Sequence, residues 1–130
     1  MPGLFLFRTH NKLEFNSFKN ALEKIAKETS SQVSLKQEPS LVTVACSSLV
    51  KQREIFSHAF KSGFGRCGII TTDRHFVIEI LSTEKLEFPI IDKNKILVGD
   101  EFLKIIVKKA NENLEKSWKK IEKFNNYLKK

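Results

Sequence analysis

The sequence predicts an α+β domain with a mixed, mostly antiparallel, barrel-like sheet and helices packed outside it, in the order β-α-β-β-α-β-β-β-α. Three observations predict it. Windows of apolar residues at helical spacing alternate with β-branched runs of period two. Two of those runs abut at Asp73-Arg74, as a hairpin requires. The chain has 130 residues, 41 % of them apolar, which suits a single domain over 1–130 with one real core.

Taken in order, LFLFR (4–8) reads as a strand apolar enough to be buried on both faces. Phe15, Phe18, Leu22, Ile25 and Ala26 then share one helical face, with Lys19, Glu23, Lys24 and Lys27 opposite, so a helix is expected over 12–28. Asn11 is its expected N-cap and Glu14 the capping-box partner. QVSLKQE (32–38) alternates as a half-buried strand, Pro39 breaks it, and SLVTVACSS (40–48) is a second strand. Leu49, Ile55, Phe56, Ala59 and Phe60 carry a second helix up to Gly63.

RCGIITTD (66–73) and RHFVIEILS (74–82) form the hairpin. LEFPII (86–91) is a further strand that Pro89 confines to an edge or a bulge. D-K-N-K is a turn and ILV a short extension. The last helix is expected over 101–128, with Asp100 as N-cap. Val107, Leu114, Ile121 and Leu128 repeat every seven residues, and Leu103, Ala110, Ser117 and Phe124 form the second heptad position. This stripe either lies on the chain's own sheet or pairs with another chain. The opposite face is basic, with nine Lys against four Glu between 101 and 130.

Gly63, Gly65 and Gly68 match G-x-G-x-x-G, the spacing of a dinucleotide-binding turn. That fingerprint needs a strand before the glycines and a helix after them. Here a helix ends at Ser62 and a strand begins near Arg66, so the stretch reads as a helix-to-strand bend. Gly63 stands where a helix C′ residue belongs, Gly65 relieves a second bend, and Gly68 suggests a bulge or close backbone approach. Lys61 and Arg66 leave a phosphate-facing rim open as a reading.

Lys and Arg total 23 against 15 acidic residues, a net charge of +8. Such a surface attracts polyanions by counterion release, nucleic acid first among them; a solvated Lys-rich surface is the alternative. No apolar run approaches the roughly 20 residues of a membrane span, and MPGLFLFRTH lacks the pattern of a signal peptide. A cytoplasmic protein with no membrane partner is expected. Cys46 and Cys67 belong to no C-x-x-C pair, so no metal site is signalled, and two small buried thiols are expected.

Three stretches carry a resemblance: KSGFGRCGIIT, EILSTEKLEFPI, and LVGDEFLKIIVKKANENLEKSWKKIEKFNNYL. They resemble the C-terminal part of the wybutosine-synthesising tRNA methyltransferases of archaea and eukaryotes. The first block supplies Gly63, Phe64, Gly68 and Ile69; the second Ser82, Thr83, Leu86, Glu87 and Pro89. The third supplies Ala110, Asn111, Leu114, Glu115, Ile121 and Glu122, with a Lys or Arg expected just before the Ile-Glu pair. The resemblance implies that family's fold, covering its C-terminal two-thirds. It also implies S-adenosylmethionine-dependent N-methylation of the tricyclic guanosine derivative beside the anticodon of phenylalanine tRNA. Family members begin with a further segment, about the first third, that holds a Ser-x-Ser-Ser motif. A second chain or a homo-oligomer completing the site is therefore one expectation, and a non-catalytic tRNA-binding paralogue the alternative. Many relatives also carry a His where this chain has Thr43.

The resemblance points to His10, at the end of FLFRTH, as the base; a strand-end histidine bonded to backbone is the other reading. Ser82 and Thr83 are expected to bind the cofactor or to close a turn. Glu87 is expected on a ribose hydroxyl or paired with Lys85. Arg8, Lys61, Arg66 and Arg74 are candidates for the RNA backbone, with solvated charge as the alternative. His58 reads as structural or exposed, His75 as exposed, and Trp118 as a core cap or a base-stacking ring.

Overall fold

The computed structural model describes residues 6–129. The chain runs α1 (Phe15–Glu28), β1 (Val33–Gln37), β2 (Leu41–Cys46), α2 (Leu49–Lys61), β3 (Arg66–Thr71), β4 (Phe76–Leu81), β5 (Leu86–Asp92), β6 (Lys95–Ile96) and α3 (Asp100–Leu128). The α+β class and the antiparallel pairing are as expected. The strands form two three-stranded sheets, β1-β5-β6 and β2-β4-β3, rather than one barrel-like sheet. Of the first expected strand, Leu4 and Phe5 lie outside the described residues, and Leu6–Arg8 is an exposed bend and irregular stretch. Contacts divide the chain into two compact units. The chain up to Gln37 joins Leu86–Leu114 in the first, and Glu38–Lys85 joins the chain from Glu115 onward in the second.

In the first unit, α1 begins later than its apolar pattern suggests because Glu14 is itself the N-cap. Its carboxylate accepts the Asn16 N–H at 3.1 Å and the Ser17 N–H at 2.8 Å, satisfying two otherwise orphaned donors. Those bonds hold the Glu14 carboxyl below its usual range. Asn11, the expected cap, instead donates its own N–H to Thr9 Oγ1. Phe18, Leu22, Ile25 and Ala26 bury as their spacing requires and pack with Ile90, Ile91, Leu103 and Val107. β5 lies between β1 and β6, yet Pro89 is accommodated. The register against β1 shifts between Val33 and Ser34, and β6 reaches only Ile91 and Asp92, so the missing Pro N–H breaks no ladder on that side.

The β5–β6 turn places Lys93 at φ 51° and Asn94 at φ 63°, both left-handed as a two-residue type I′ hairpin demands. The Asn94 amide donates to the carbonyls of Ala26 and Thr29, both at 2.8 Å, and so closes the end of α1. Gly99 accepts the first backbone bond of α3, from Leu103. Asp100, the expected cap, stands inside the first turn and pairs with Lys19 at 2.5 Å, which raises the Lys19 ammonium above its usual range.

In the second unit, α2 packs on β2-β4-β3. Ser48 caps it, its hydroxyl accepting the Lys51 N–H. Ala59, Phe64, Ile78, Ile80 and Phe124 form the core. Phe60, expected on the buried face, is 66 % exposed. Gln52 is fully buried instead. Its amide donates to Val77 O at 3.1 Å and its carbonyl accepts the Thr71 hydroxyl at 3.2 Å, tying α2 to both strands of the hairpin. The hairpin closes through Thr72 N–H to His75 O.

The second heptad position of α3 buries throughout: Leu103, Ala110, Ser117 and Phe124. The first rotates outward, leaving Ile121 40 % and Leu128 50 % exposed. A straight helix of 3.6 residues per turn drifts about 20° per heptad against a strict seven-residue repeat, which produces that outward rotation.

Gln52→Leu keeps the volume but leaves the Val77 carbonyl and the Thr71 hydroxyl without that partner. It is expected to lower unfolding free energy by about 1–3 kcal/mol in urea titration; an unchanged midpoint would show that these bonds add nothing net.

Candidate functional site

The glycine-rich bend ends α2 by hydrogen bonds and holds no phosphate cradle. Ser62 is the C-cap, and Gly63 follows at φ 102°. Phe64 N–H reaches Ala59 O at 3.2 Å and Gly63 N–H reaches Phe60 O at 3.1 Å, the paired bonds of a Schellman motif. Its apolar contact is present too: Phe64 is 1 % exposed, against Ala59 and edge-on to Phe124 at 6.0 Å. Only the left-handed backbone lets the chain turn so that Phe64 drops into the core, and glycine adopts it without a Cβ penalty. Gly65 fits tightly, since a Cβ there would lie 3.3 Å from the Thr83 methyl. Gly68 sits in unbroken register opposite Glu79, so the bulge expected there is absent.

The strand-end loop after β4 meets this bend. Ser82 is fully buried and closed on Ser40: its hydroxyl accepts Ser40 N–H at 2.9 Å, and its own N–H goes to Ser40 O at 3.0 Å. Thr83 is exposed. Glu84 turns back to α3, where Lys120 donates to its Oε1. The Lys120 stem also lies over Gly63, 3.2 Å from where a Cβ would stand. Lys120 fills the Lys-or-Arg position before Ile121-Glu122, so one side chain joins all three motif blocks within the second unit.

Burial pushes the Glu84 carboxyl up, but hydrogen bonds from Lys120, its own backbone N–H and Ser82 outweigh that and hold it below the usual range. Glu84 Oε2 is buried and has no hydrogen-bond partner. Lys120 was expected from the sequence as a motif position without a partner, and Glu84 was not expected at all. A charged residue two places from the motif serine, with a lysine far along the last helix, has no spacing that marks the pair.

Thr83, Ser82, Lys61 and Arg66 gather at this end of the second unit: Lys61 ends α2, and Arg66 pairs with Leu81 in the ladder. Arg74 sits in the hairpin turn at the other end, beyond a strand about 17 Å long at roughly 3.4 Å per residue. All three cations are exposed. His10, Arg8 and Glu87 belong to the first unit. His10 lies exposed in a bend and Arg8 is exposed. Glu87 stands on β5 opposite Lys36, not Lys85. Asn111, a motif residue, closes the approach to α1: it accepts Leu13 N–H at 2.7 Å and donates to Leu13 O at 2.9 Å.

A second feature is a cleft of about 310 Å³ between α2 and α3, lined by Lys51, Glu54, Ile55, His58, Tyr127 and Leu128. His58 stacks on Tyr127 at 4.9 Å, with Nε2 4.0 Å from Glu54. His75 is exposed, and Trp118 is 46 % exposed rather than a core cap. Cys46 and Cys67 are free and half-buried. Their ladder partners Phe76 and Ile80 stand about 13 Å apart along β4, too far for a disulfide. Among the described residues no helix is long and apolar enough to cross a membrane, and no group of three or more His, Cys, Asp or Glu could hold a metal ion.

Residues 2–130 match the family described as Methyltransferase TYW3. An Archaeoglobus fulgidus protein named tRNA(Phe) 7-((3-amino-3-carboxypropyl)-4-demethylwyosine(37)-N(4))-methyltransferase is 32 % identical over 119 residues, 92 % of this chain and 58 % of that protein. The human tRNA wybutosine-synthesizing protein 3 homolog is 33 % identical over 103 residues, 78 % of this chain and 40 % of its own length. The chain therefore spans about half the length of these relatives. A solved Pyrococcus horikoshii structure superposes with TM-score 0.83 at 22 % identity, over 93 % of this chain and 61 % of that one. An Aeropyrum pernix structure does so with TM-score 0.77 at 21 % identity, over 95 % and 74 %. Both share the fold.

Two outcomes are expected. Gly63→Ala forces a Cβ into the left-handed region and should cost about 1–2 kcal/mol in chemical denaturation; a neutral result would contradict the turn described here. Lys120→Met keeps the stem over Gly63 but removes the ammonium, and should cost about 2 kcal/mol near pH 7. The Glu84 carboxyl is lower in the folded state than its unfolded value near 4.5. The pair's stabilisation is thus complete above that value and is lost as pH falls through the folded one. Thermal unfolding from pH 7 to pH 3 should show the variant's deficit shrinking toward acid. A deficit that persists or grows there would contradict it.

Proposed function

The chain belongs to the Methyltransferase TYW3 family. From that premise we propose that it transfers a methyl group from S-adenosylmethionine to a ring nitrogen of the tricyclic wybutosine precursor beside the anticodon of phenylalanine tRNA. The observation that carries this reading is the family match over residues 2–130. The activity named for the Archaeoglobus fulgidus relative supports it, as does the net charge of +8, which favours a polyanionic substrate. In this reading the protein works in the cytoplasm.

When bound, S-adenosylmethionine supplies a methyl group on a sulfonium that departs as a neutral thioether. The protein's work would be to hold the ring nitrogen in line with that methyl group and to take the ring proton. His10 is the proposed base. Lys61 and Arg66, at one end of the second unit, and Arg74, at the other, are proposed to take phosphates of the same RNA at separate points. Arg8 is proposed for the phosphate backbone as well.

The residues proposed for the cofactor differ in what they offer. The Ser82 hydroxyl is engaged with Ser40 and supports the loop from beneath, while Thr83 is exposed. Glu87, on β5 of the first unit, is proposed for a ribose hydroxyl.

A second reading follows from the net charge of +8, which suits RNA binding whether or not chemistry follows. In it the chain binds tRNA without methylating it. The deciding assay uses methyl-tritiated S-adenosylmethionine with tRNA carrying the unmethylated precursor. Label in phenylalanine tRNA above the no-protein control is expected. Salt-dependent tRNA binding without label would favour the second reading.

A further inference from the structure

The sheet of the second unit ends on an edge that lacks the usual protections. β3 pairs with β4 alone, in unbroken register from Arg66 to Thr71. An open edge offers its N–H and C=O groups to another strand, and proteins blunt one with lysine, proline, a bulge or very short length. The first unit does so: β6 runs only Lys95–Ile96, and β1 carries Lys36 and a register break between Val33 and Ser34. β3 has none of these past Arg66, and Ile69 and Ile70, on its two faces, are 48 % and 47 % exposed. We infer that this edge pairs antiparallel with β3 of a second copy of the chain, about a twofold axis at Ile69.

Gly68 selects this edge. A glycine inside a strand marks a bulge, a bend or the close approach of another backbone or a ligand. Gly68 forms no bulge, since it stands in register with Glu79. Its backbone is not left-handed. Within the chain a Cβ there would meet only the Glu79 Cβ, at an ordinary 4.0 Å. The fold therefore makes no use of the missing side chain, and a neighbour from outside the chain does. β2, the other edge of this sheet, holds no glycine.

The register follows from the alternation of backbone hydrogen bonds. Thr72 N–H bonds to His75 O and closes the hairpin. Counting back along the ladder, Cys67, Ile69 and Thr71 turn their N–H and C=O groups away from β4. Setting Ile69 opposite Ile69 of the copy uses all of these groups: Cys67 exchanges bonds with Thr71 of the copy, and Ile69 with its equivalent. Gly68 then faces Ile70 of the copy at the close, non-hydrogen-bonded spacing of about 4.5 Å, where the absent side chain makes room for a branched one. Arg66 faces Thr72 of the copy, so no like charges stand opposite each other. The contact is self-complementary, as an interface between two identical patches requires.

Sedimentation equilibrium of the full chain, from micromolar to millimolar concentration, tests the assignment. The mass should rise from 15.0 kDa toward twice that. Ile69→Lys should weaken self-association by at least about tenfold, with the thermal transition of dilute protein still cooperative. Gly68→Val separates the interface from the fold. The chain has room for the added side chain, so dilute protein should melt no lower, yet association should fall by at least about tenfold. In a Cys46→Ser, Cys67→Ser background, mild oxidation should cross-link Ile69→Cys into a disulfide dimer, since the opposed Cα atoms stand about 5.5 Å apart. Val42→Cys, on β2, should stay uncross-linked. A wild-type chain that remains monomeric at millimolar concentration overturns the assignment. So does association that Gly68→Val leaves intact, which would place the contact elsewhere, as on the exposed Trp118, Ile121 and Leu128 of α3. Cross-linking through Val42→Cys in preference to Ile69→Cys overturns it too.

Discussion

The left-handed backbone at Gly63 is the constraint on which the second unit depends. A helix end must satisfy its last carbonyls, and here Gly63 and Phe64 do so with their own N–H groups. The turn that makes those bonds also aims Phe64 into the core between Ala59 and Phe124. It delivers the chain to Arg66 in register with Leu81, the residue before the Ser82–Glu84 loop. Moving the bend would therefore shift β3, the loop and the Glu84 carboxylate together. The same absence of a side chain lets the Lys120 stem lie over the turn, so the ion pair and the turn share one site.

The motif residues Asn111 and Ser82 hold the fold. Asn111 substitutes for a strand neighbour, giving Leu13 both a donor and an acceptor. Ser82 performs the same exchange with Ser40. Both are fully used within the protein. Glu84 is not, because one of its oxygens has no partner. That contrast sets Glu84 apart from residues whose polar atoms the scaffold satisfies. An ion pair with a partly exposed lysine adds modest stability; its larger effect is to fix where the second oxygen points.

Much of the fold was legible because burial imposes periodicity. Phe18, Leu22, Ile25 and Ala26 share a face and bury, and Val33 and Leu35 alternate against Ser34 and Lys36 as a half-buried strand must. Gly63 was readable as a helix C′ residue because few other residues tolerate that backbone. Other features were hidden for physical reasons. Glu14 displaced Asn11 as cap because its carboxylate reaches two N–H groups at once. Phe60 turned outward while Gln52 turned in, since an amide that meets Val77 and Thr71 satisfies its polar atoms on burial. Leucine-like periodicity cannot register that exchange. The pairing of Glu84 with Lys120 joins residues 36 positions apart, and no local pattern records it. Exposed residues such as His10, Arg66 and Arg74 carry no burial signal at all, so the proposed role of His10 rests on family resemblance and those of Arg66 and Arg74 on their charge and place near strand ends.

The Gly63–Arg66 bend, the Ser82–Lys85 loop and Lys120 meet at one end of the second unit, where the cofactor is proposed to bind. Amide chemical-shift mapping of the isotopically labelled chain during titration with S-adenosylhomocysteine tests that placement. Saturable shifts concentrated at Gly63, Phe64, Thr83, Glu84 and Lys120 are expected. Shifts confined to the cleft around Glu54, His58 and Tyr127, or none at saturating ligand, would contradict it.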